Sequence, residues 1–272
     1  MPRYATLLIL AVTLSVTVAA PTAAAQPSAS AVVAAWRSRQ TDAARGVERV
    51  EADETLSRRI DGPRGTVRLE TRGTLALGRD ARRTVTTARV DGEPVAAERV
   101  AALEERLGRA FGPGFEDASS GPRLVPPALA LGTASRVAPD DLDGRPAWRV
   151  SLALPAERLA PPPRRAPPPR RGGRLRRGAP DRPPPGGGPA DRAEAWFSRS
   201  ADAPRLLRLD LTGDRPGGGT LRRRVDFTAL GPLDVPTAAS AELRVSQRRR
   251  LRAYTTSIAV EARYGAYRVV RR

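Results

Sequence analysis

Apolar and polar residues alternate in short runs along this chain. A period of two commits a run to a strand with one buried face and one wet face. Val50, Ala52, Leu56 and Ile60 share one parity within Val47–Ile60, interrupted by Glu54 and Arg58. Val67, Leu69 and Thr71 alternate in Thr66–Leu77, where Gly73 marks a bulge or bend before Leu75 and Leu77 resume. Arg83–Val90 is rich in β-branched residues, and Trp148, Val150, Leu152 and Leu154 share a face of Ala147–Leu154. Beyond Glu194–Ser198 the runs are Arg205–Leu211, Leu221–Leu230, Ala241–Ser246, Leu251–Glu261 and Tyr264–Val270. Turn chemistry separates them at Asp61–Gly65, Asp91–Pro94 and Asp140–Gly144. Short strands in succession imply an antiparallel meander.

Two segments break that rhythm with a helical period. Ser30–Trp36 opens one, with Ser28 or Ser30 as N-cap, Val32, Val33, Trp36 and Gln40 near one face, and Gly46 as its stop. Val95–Phe111 is the other, with Ala96, Val100, Leu103, Leu107 and Ala110 in an apolar stripe; Glu104 and Glu105 are expected to be solvated. Residues 115–140 are weakly patterned. The predicted fold class is α+β: a curved antiparallel sheet, an open half-barrel, covered by two or more helices. Pro155–Ala190 stands apart. PPPRR recurs at 161–165 and 167–171 and is followed by Gly-rich runs, so 155–190 is expected to be a disordered surface insertion in a single domain spanning 26–272.

Composition removes whole classes of chemistry. The 272 residues include no His and no Cys, which excludes a Ser-His-Asp triad, a Cys nucleophile, zinc fingers and disulfides. All 47 basic residues are Arg, a pattern of GC-rich codon usage more than of phosphate binding. The formal charge of +18 is also uneven: residues 26–160 hold 21 Arg against 19 acids, and 161–190 hold 8 against 1. Met1–Tyr4 is a short basic start, Ala5–Ala20 an apolar run too short for a comfortable span, and Ala23-Ala24-Ala25 a small-residue cleavage site. Residues 1–25 are therefore expected to be a cleaved signal peptide. The mature protein is expected in the periplasm or another extracytoplasmic space, without nucleic acid as partner.

Catalysis needs groups that the pattern does not supply. No carboxylate pair is marked for glycoside hydrolysis. Asp140–Gly144 resembles a calcium loop, but Pro139 and Val150 fall where its first and last acids belong, and a turn is the expected reading. No catalytic residue, metal ligand or cofactor is assigned. The sheet itself is the remaining resource, since an antiparallel sheet under helices can enclose an apolar cavity. The cavity candidates are Trp148, Val150, Leu152, Trp196, Leu207, Leu209, Val225, Phe227 and Ile258. Arg223 shares parity with Val225 and Phe227, so it is the candidate contact for an anionic group. Arginines within 161–177 could touch an anionic membrane surface.

The exported N-terminus, the helix from Ser30 and the meander Val47–Val90 resemble the periplasmic outer-membrane lipoprotein-carrier and sorting superfamily (LolA/LolB-like). So do Asp143–Val150, Ala195-Trp196-Phe197-Ser198 and Pro204–Leu209. That resemblance implies an open β-barrel with a helical lid and an apolar cavity for lipoprotein acyl chains. It would place the superfamily's N-terminal strand arginine at Arg49 or Arg68. The expected function is that of a monomeric, non-enzymatic carrier of lipid or lipoprotein acyl chains. The alternatives are an envelope interaction or sensor module that binds a protein partner, and a carboxylate-dependent hydrolase.

Overall fold

The computed structural model describes residues 26–63, 65–78, 81–111, 121–154, 192–200, 203–215, 219–249 and 252–271. The expected leader 1–25 and insertion 155–190, with the arginines of 161–177, lie outside the described residues. Helix α1 (Ala29–Ala44) precedes strands β1 (Val47–Gly62), β2 (Gly65–Leu77), β3 (Ala81–Val90) and β4 (Glu93–Pro94). Helix α2 (Ala97–Phe111) and one-turn helix α3 (Pro127–Leu131) follow. The remaining strands are β5 (Thr133–Leu142), β6 (Arg145–Ala153), β7 (Arg192–Ser198), β8 (Leu206–Arg215), β9 (Gly219–Leu230), β10 (Leu233–Arg249) and β11 (Arg252–Arg271).

All eleven strands form one sheet in the order β4-β3-β2-β1-β11-β10-β9-β8-β7-β6-β5. It is two antiparallel meanders, β1–β4 and β5–β11, fused by the pairing of β1 with β11. The sheet is open, with β4 at one end and β5 at the other. This order forces the chain between β4 and β5 to travel from one edge to the other. At about 4.8 Å per strand that is roughly 48 Å. The crossing carries α2, Leu124 and α3 onto the apolar side of the sheet, where Leu107 and Leu124 meet one hydrophobic cluster and Ala128 and Leu129 another.

Local chemistry accounts for the joints. Ser28 caps α1 by accepting from the Ala31 amide at 3.1 Å. Asp91-Gly92 and Asp143-Gly144 turn two hairpins with positive φ at both residues, the backbone that Asp-Gly favours in tight β-turns. Gly73 sits at a bulge between β2 and β3, where an added Cβ would lie 1.9 Å from the Thr84 carbonyl oxygen, so glycine is required by close approach.

Among the described residues the helical cover is thinner than expected: helices of 16, 15 and 5 residues face eleven strands. The strand runs are also longer. The expected runs Leu251–Glu261 and Tyr264–Val270 merge, over the described residues, into the single 20-residue strand Arg252–Arg271, continuous through a bulge at Ala266. Residues 133–142, read from the sequence as the end of a weakly patterned stretch running into a turn at Asp140, are the edge strand β5. An edge tolerates the Pro139 and paired aspartates that obscured it.

Candidate functional site

Residues paired directly across a ladder point to the same side, so the register traces one face through the sheet. Ala88, Thr71, Leu56, Ala262, Ala239, Val225, Leu209, Ala195, Val150 and Val137 form a single row across ten strands. Nine of the ten are apolar and four are alanines. The face divides into two clusters. One lies beneath α1 and gathers Trp36, Phe197, Val150, Leu152, Leu209, Val225 and Phe227, with Trp148 partly buried against it. The other gathers Val50, Leu56, Ile60, Leu75, Leu243, Val260 and Ile258. Six of the sequence candidates thus converge beneath α1, while Ile258 packs in the second cluster.

Leu207 and Trp196 go elsewhere. A bulge pairs Trp196 with Arg208 but Phe197 with Leu206, so Leu206 enters the apolar cluster where strict alternation placed Leu207. Trp196 lies on the opposite face. It is paired with Arg149 and Arg208, and its Nε1 donates to Asp140 Oδ2 at 2.9 Å. That bond, followed by the Asp141 amide, holds the Asp140 carboxyl below its ordinary range. Asp141 accepts from the Gly144 amide at 2.7 Å; the turn is narrower than the expected Asp140–Gly144, since Asp140, Asp141 and Leu142 pair within β5 and only Asp143-Gly144 reverses the chain. A groove of about 370 Å³ crosses β8–β11, and its lining includes Leu211, Arg223, Ala241 and Val260 of the apolar side as well as Asp210 and Arg224 of the polar one. There the Arg224 guanidinium and the Asp210 carboxylate pair at two 3.0 Å bonds.

The interruptions in β1 turn out to be the chemical centre of the apolar face. Glu54 and Arg58 keep the parity of Leu56 and Ile60 and are buried. Glu54 holds Arg83 through both carboxylate oxygens, one bond being Arg83 Nη2 to Oε1 at 2.8 Å. Burial alone pulls the Arg83 guanidinium down, and its bonds to Glu54 more than reverse that. Arg58, with its side chain only 1% exposed, donates through Nη1 to Glu104 of α2, which is 36% exposed. Its Nε–H has no acceptor, a deficit that costs about 1–3 kcal/mol when buried. Desolvation dominates at Arg58, and its pKa falls below the ordinary guanidinium value despite Glu104. Glu104 is thus a partner of a buried cation and not a merely solvated residue. The buried strand arginine is Arg58, while the side chains of Arg49 and Arg68 are 40% and 63% exposed.

The neighbouring row runs Leu69, Arg58, Val260, Ala241, Arg223, Leu211. Arg223 therefore faces the apolar side, as its parity required, three strands from Arg58. Tyr264, opposite Glu54, has its hydroxyl pushed to a higher pKa by burial first and the Glu54 charge second.

Sequence reasoning missed Asp234 altogether. Its carboxylate is 1% exposed and accepts from Trp36 Nε1 at 2.8 Å, the Leu206 amide at 2.9 Å, Arg205 Nη1 at 3.1 Å, and Arg39. Gln40 closes the arrangement, bonding both the amide and the carbonyl of Asp234 at 2.9 and 3.0 Å. This network, and not apolar contact alone, fastens α1 over the sheet. Among the described residues no group of His, Cys, Asp and Glu could hold a metal, and no helix is long and apolar enough to cross a membrane.

No family model and no curated protein matches the chain. Among solved structures it is similar to an outer membrane lipoprotein-sorting protein domain from Vibrio parahaemolyticus, at 10% identity over 89% of this chain and 93% of that one, with a TM-score of 0.38. A DUF1329 family protein from Desulfovibrio piger is similar at 7% identity over 90% and 94%, with a TM-score of 0.35. LprF from Mycobacterium bovis is similar at 11% identity over 89% and 95%, with a TM-score of 0.26.

Proposed function

We propose that this chain is a non-enzymatic, extracytoplasmic carrier-like protein that shelters the acyl chains of a lipid or lipoprotein against its apolar sheet face. In this reading residues 1–25 are removed on export. The mature chain acts as a monomer and a single domain, with 155–190 as a surface insertion. The observation that supports it most is the transverse row from Ala88 to Val137. Ten strands bring one stripe, apolar at nine of its ten positions, to the same side, with the small side chains of Ala88, Ala195, Ala239 and Ala262 among them. Flexible apolar guests suit such a stripe because they need burial and few directional contacts.

Mass spectrometry of the full chain, purified without detergent and extracted with organic solvent, tests this. Acyl-bearing lipid is expected at a substoichiometric to equimolar level. A clean extract, together with no uptake of an added fluorescent fatty-acyl probe, would sink the reading.

A further inference from the structure

We propose that Arg58 anchors the anionic group, a carboxylate or a phosphate, of an amphiphile whose tail lies along the apolar face. This deepens the carrier reading and rests on it. Among the described residues Arg58 is an under-coordinated buried cation on that face. It meets one carboxylate, at Nη1, and its Nε–H faces no acceptor. Arg39 shares a bare Nε–H, but Pro204, Pro232 and Asp234 hold its two Nη groups. Leu69 and Val260 lie directly across from Arg58, with Leu56 and Ile60 two residues away along β1. A head bound at Arg58 therefore starts beside the alanine-bearing row.

Charge balance defines the exchange. Glu54 is engaged with Arg83 through both of its oxygens, which leaves Glu104 as the acid that neutralises Arg58. Glu104 is 36% exposed and reaches in from α2, so a rotation of its side chain can take it back to water. An incoming monoanion then replaces one negative charge with another. With two or three oxygens, it can also satisfy the Nε–H that Glu104 leaves bare. A neutral amphiphile gains nothing at this position.

Calorimetry on the full chain, below micelle formation, compares dodecanoate, dodecyl phosphate and neutral monododecanoylglycerol, with inorganic phosphate as a headgroup without a tail. Both anionic amphiphiles are expected to bind roughly tenfold or more tighter than the neutral one. Inorganic phosphate is expected to compete only at far higher concentration. Arg58→Gln should erase the tenfold preference while leaving the neutral ligand within about twofold. Glu104→Gln leaves the Arg58 charge without its acid and so costs stability, but in the folded protein it should tighten the anions several-fold and leave the neutral ligand unchanged. Equal binding of all three amphiphiles, insensitive to Glu104→Gln, would overturn the anchor and leave the carrier reading standing. Inorganic phosphate competing as well as dodecyl phosphate would overturn the amphiphile in favour of a free anion. No binding of any amphiphile would overturn the carrier reading itself.

Discussion

Asp234 and Glu54 are both carboxylates buried in the same sheet, and the regions around them are built to opposite ends. At Asp234, side chains from α1 and the start of β8 converge, and donors arrive from Trp36, Arg39, Arg205 and the Leu206 amide. At Glu54 the ionic cluster stands in the middle of an apolar face. There one arginine is held twice and the other, Arg58, by a single bond to a half-exposed helix residue. The first arrangement stabilises a helix position. The second keeps a cation buried with its donors unfilled, which is poor economy for stability alone. Evenly packed apolar residues at positions 54 and 58 would serve a core better, so the charged face is the part of the fold where function is to be sought.

Asp234→Ala should produce the largest effect. It strips the partner from two arginines and an indole at once, and breaking a buried ionic network by removing one member costs about 3–5 kcal/mol. For a chain of this size that lowers the thermal midpoint by roughly 10 °C. Circular dichroism melting checks it. A change below about 1 kcal/mol would mean that α1 is held by apolar packing instead.

On the other side of the sheet, Gly73→Ala should cost roughly 1–3 kcal/mol, because the new Cβ must displace backbone at the Thr84 carbonyl. Gly265→Ala is the control: nothing lies within 4 Å of its added Cβ, and the effect is expected within about 0.5 kcal/mol. Urea midpoints for the two variants measure the difference directly. If they match, the β2–β3 bulge is not rigid.

Arg58→Met carries the comparison further. Replacing a poorly compensated buried charge by an apolar side chain of similar length is expected to be neutral or to stabilise by about 1 kcal/mol, since Glu104 can rehydrate. Arg39→Met should destabilise, because Asp234 and two carbonyls lose a donor each. Denaturant titration of the two variants should give opposite signs. Matching losses would make both clusters structural.

Much of this layout was legible in the sequence, and the exceptions share a cause. β1, β2, β3, β6 and β9 follow from alternation, and Trp36 and Gln40 fall on the helix face that is in fact buried. Leu206 was not foreseeable, because a bulge shifts parity by one residue and leaves no mark in composition. Trp196 was grouped with Trp148 because both are large and apolar, yet they occupy strand positions of opposite parity in the register. Arg58 and Glu54 looked like defects in a strand pattern. Pattern reading treats charge as outward, and only a partner supplied by α2 or β3 lets a charge stay inside. Asp234 sits in a Pro-flanked turn-like run, Gly231–Pro236, where a buried hub of long-range bonds has no local signature.

The smallest expected effect distinguishes the two tyrosines beside the charged face. Tyr267 packs against the apolar cluster with its hydroxyl buried and without a partner, and burial raises its pKa. Tyr264 is raised as well, by burial and then by Glu54. A tyrosine whose folded pKa lies above its unfolded value of about 10 contributes fully below pH 10. It loses that contribution as the pH climbs toward the folded value, because the unfolded chain ionises first. Tyr267→Phe should therefore be close to neutral at pH 7 and should gain on the parent protein above pH 10. The gain should be on the order of 1 kcal/mol one pH unit higher. Tyr264→Phe should show a similar alkaline gain but also remove the phenol from the Glu54–Arg83 environment. Melting curves at pH 7 and pH 11 separate the two. An alkaline loss equal in Tyr267→Phe and the parent would show that this hydroxyl reaches water, and that the lower end of the apolar face is wet.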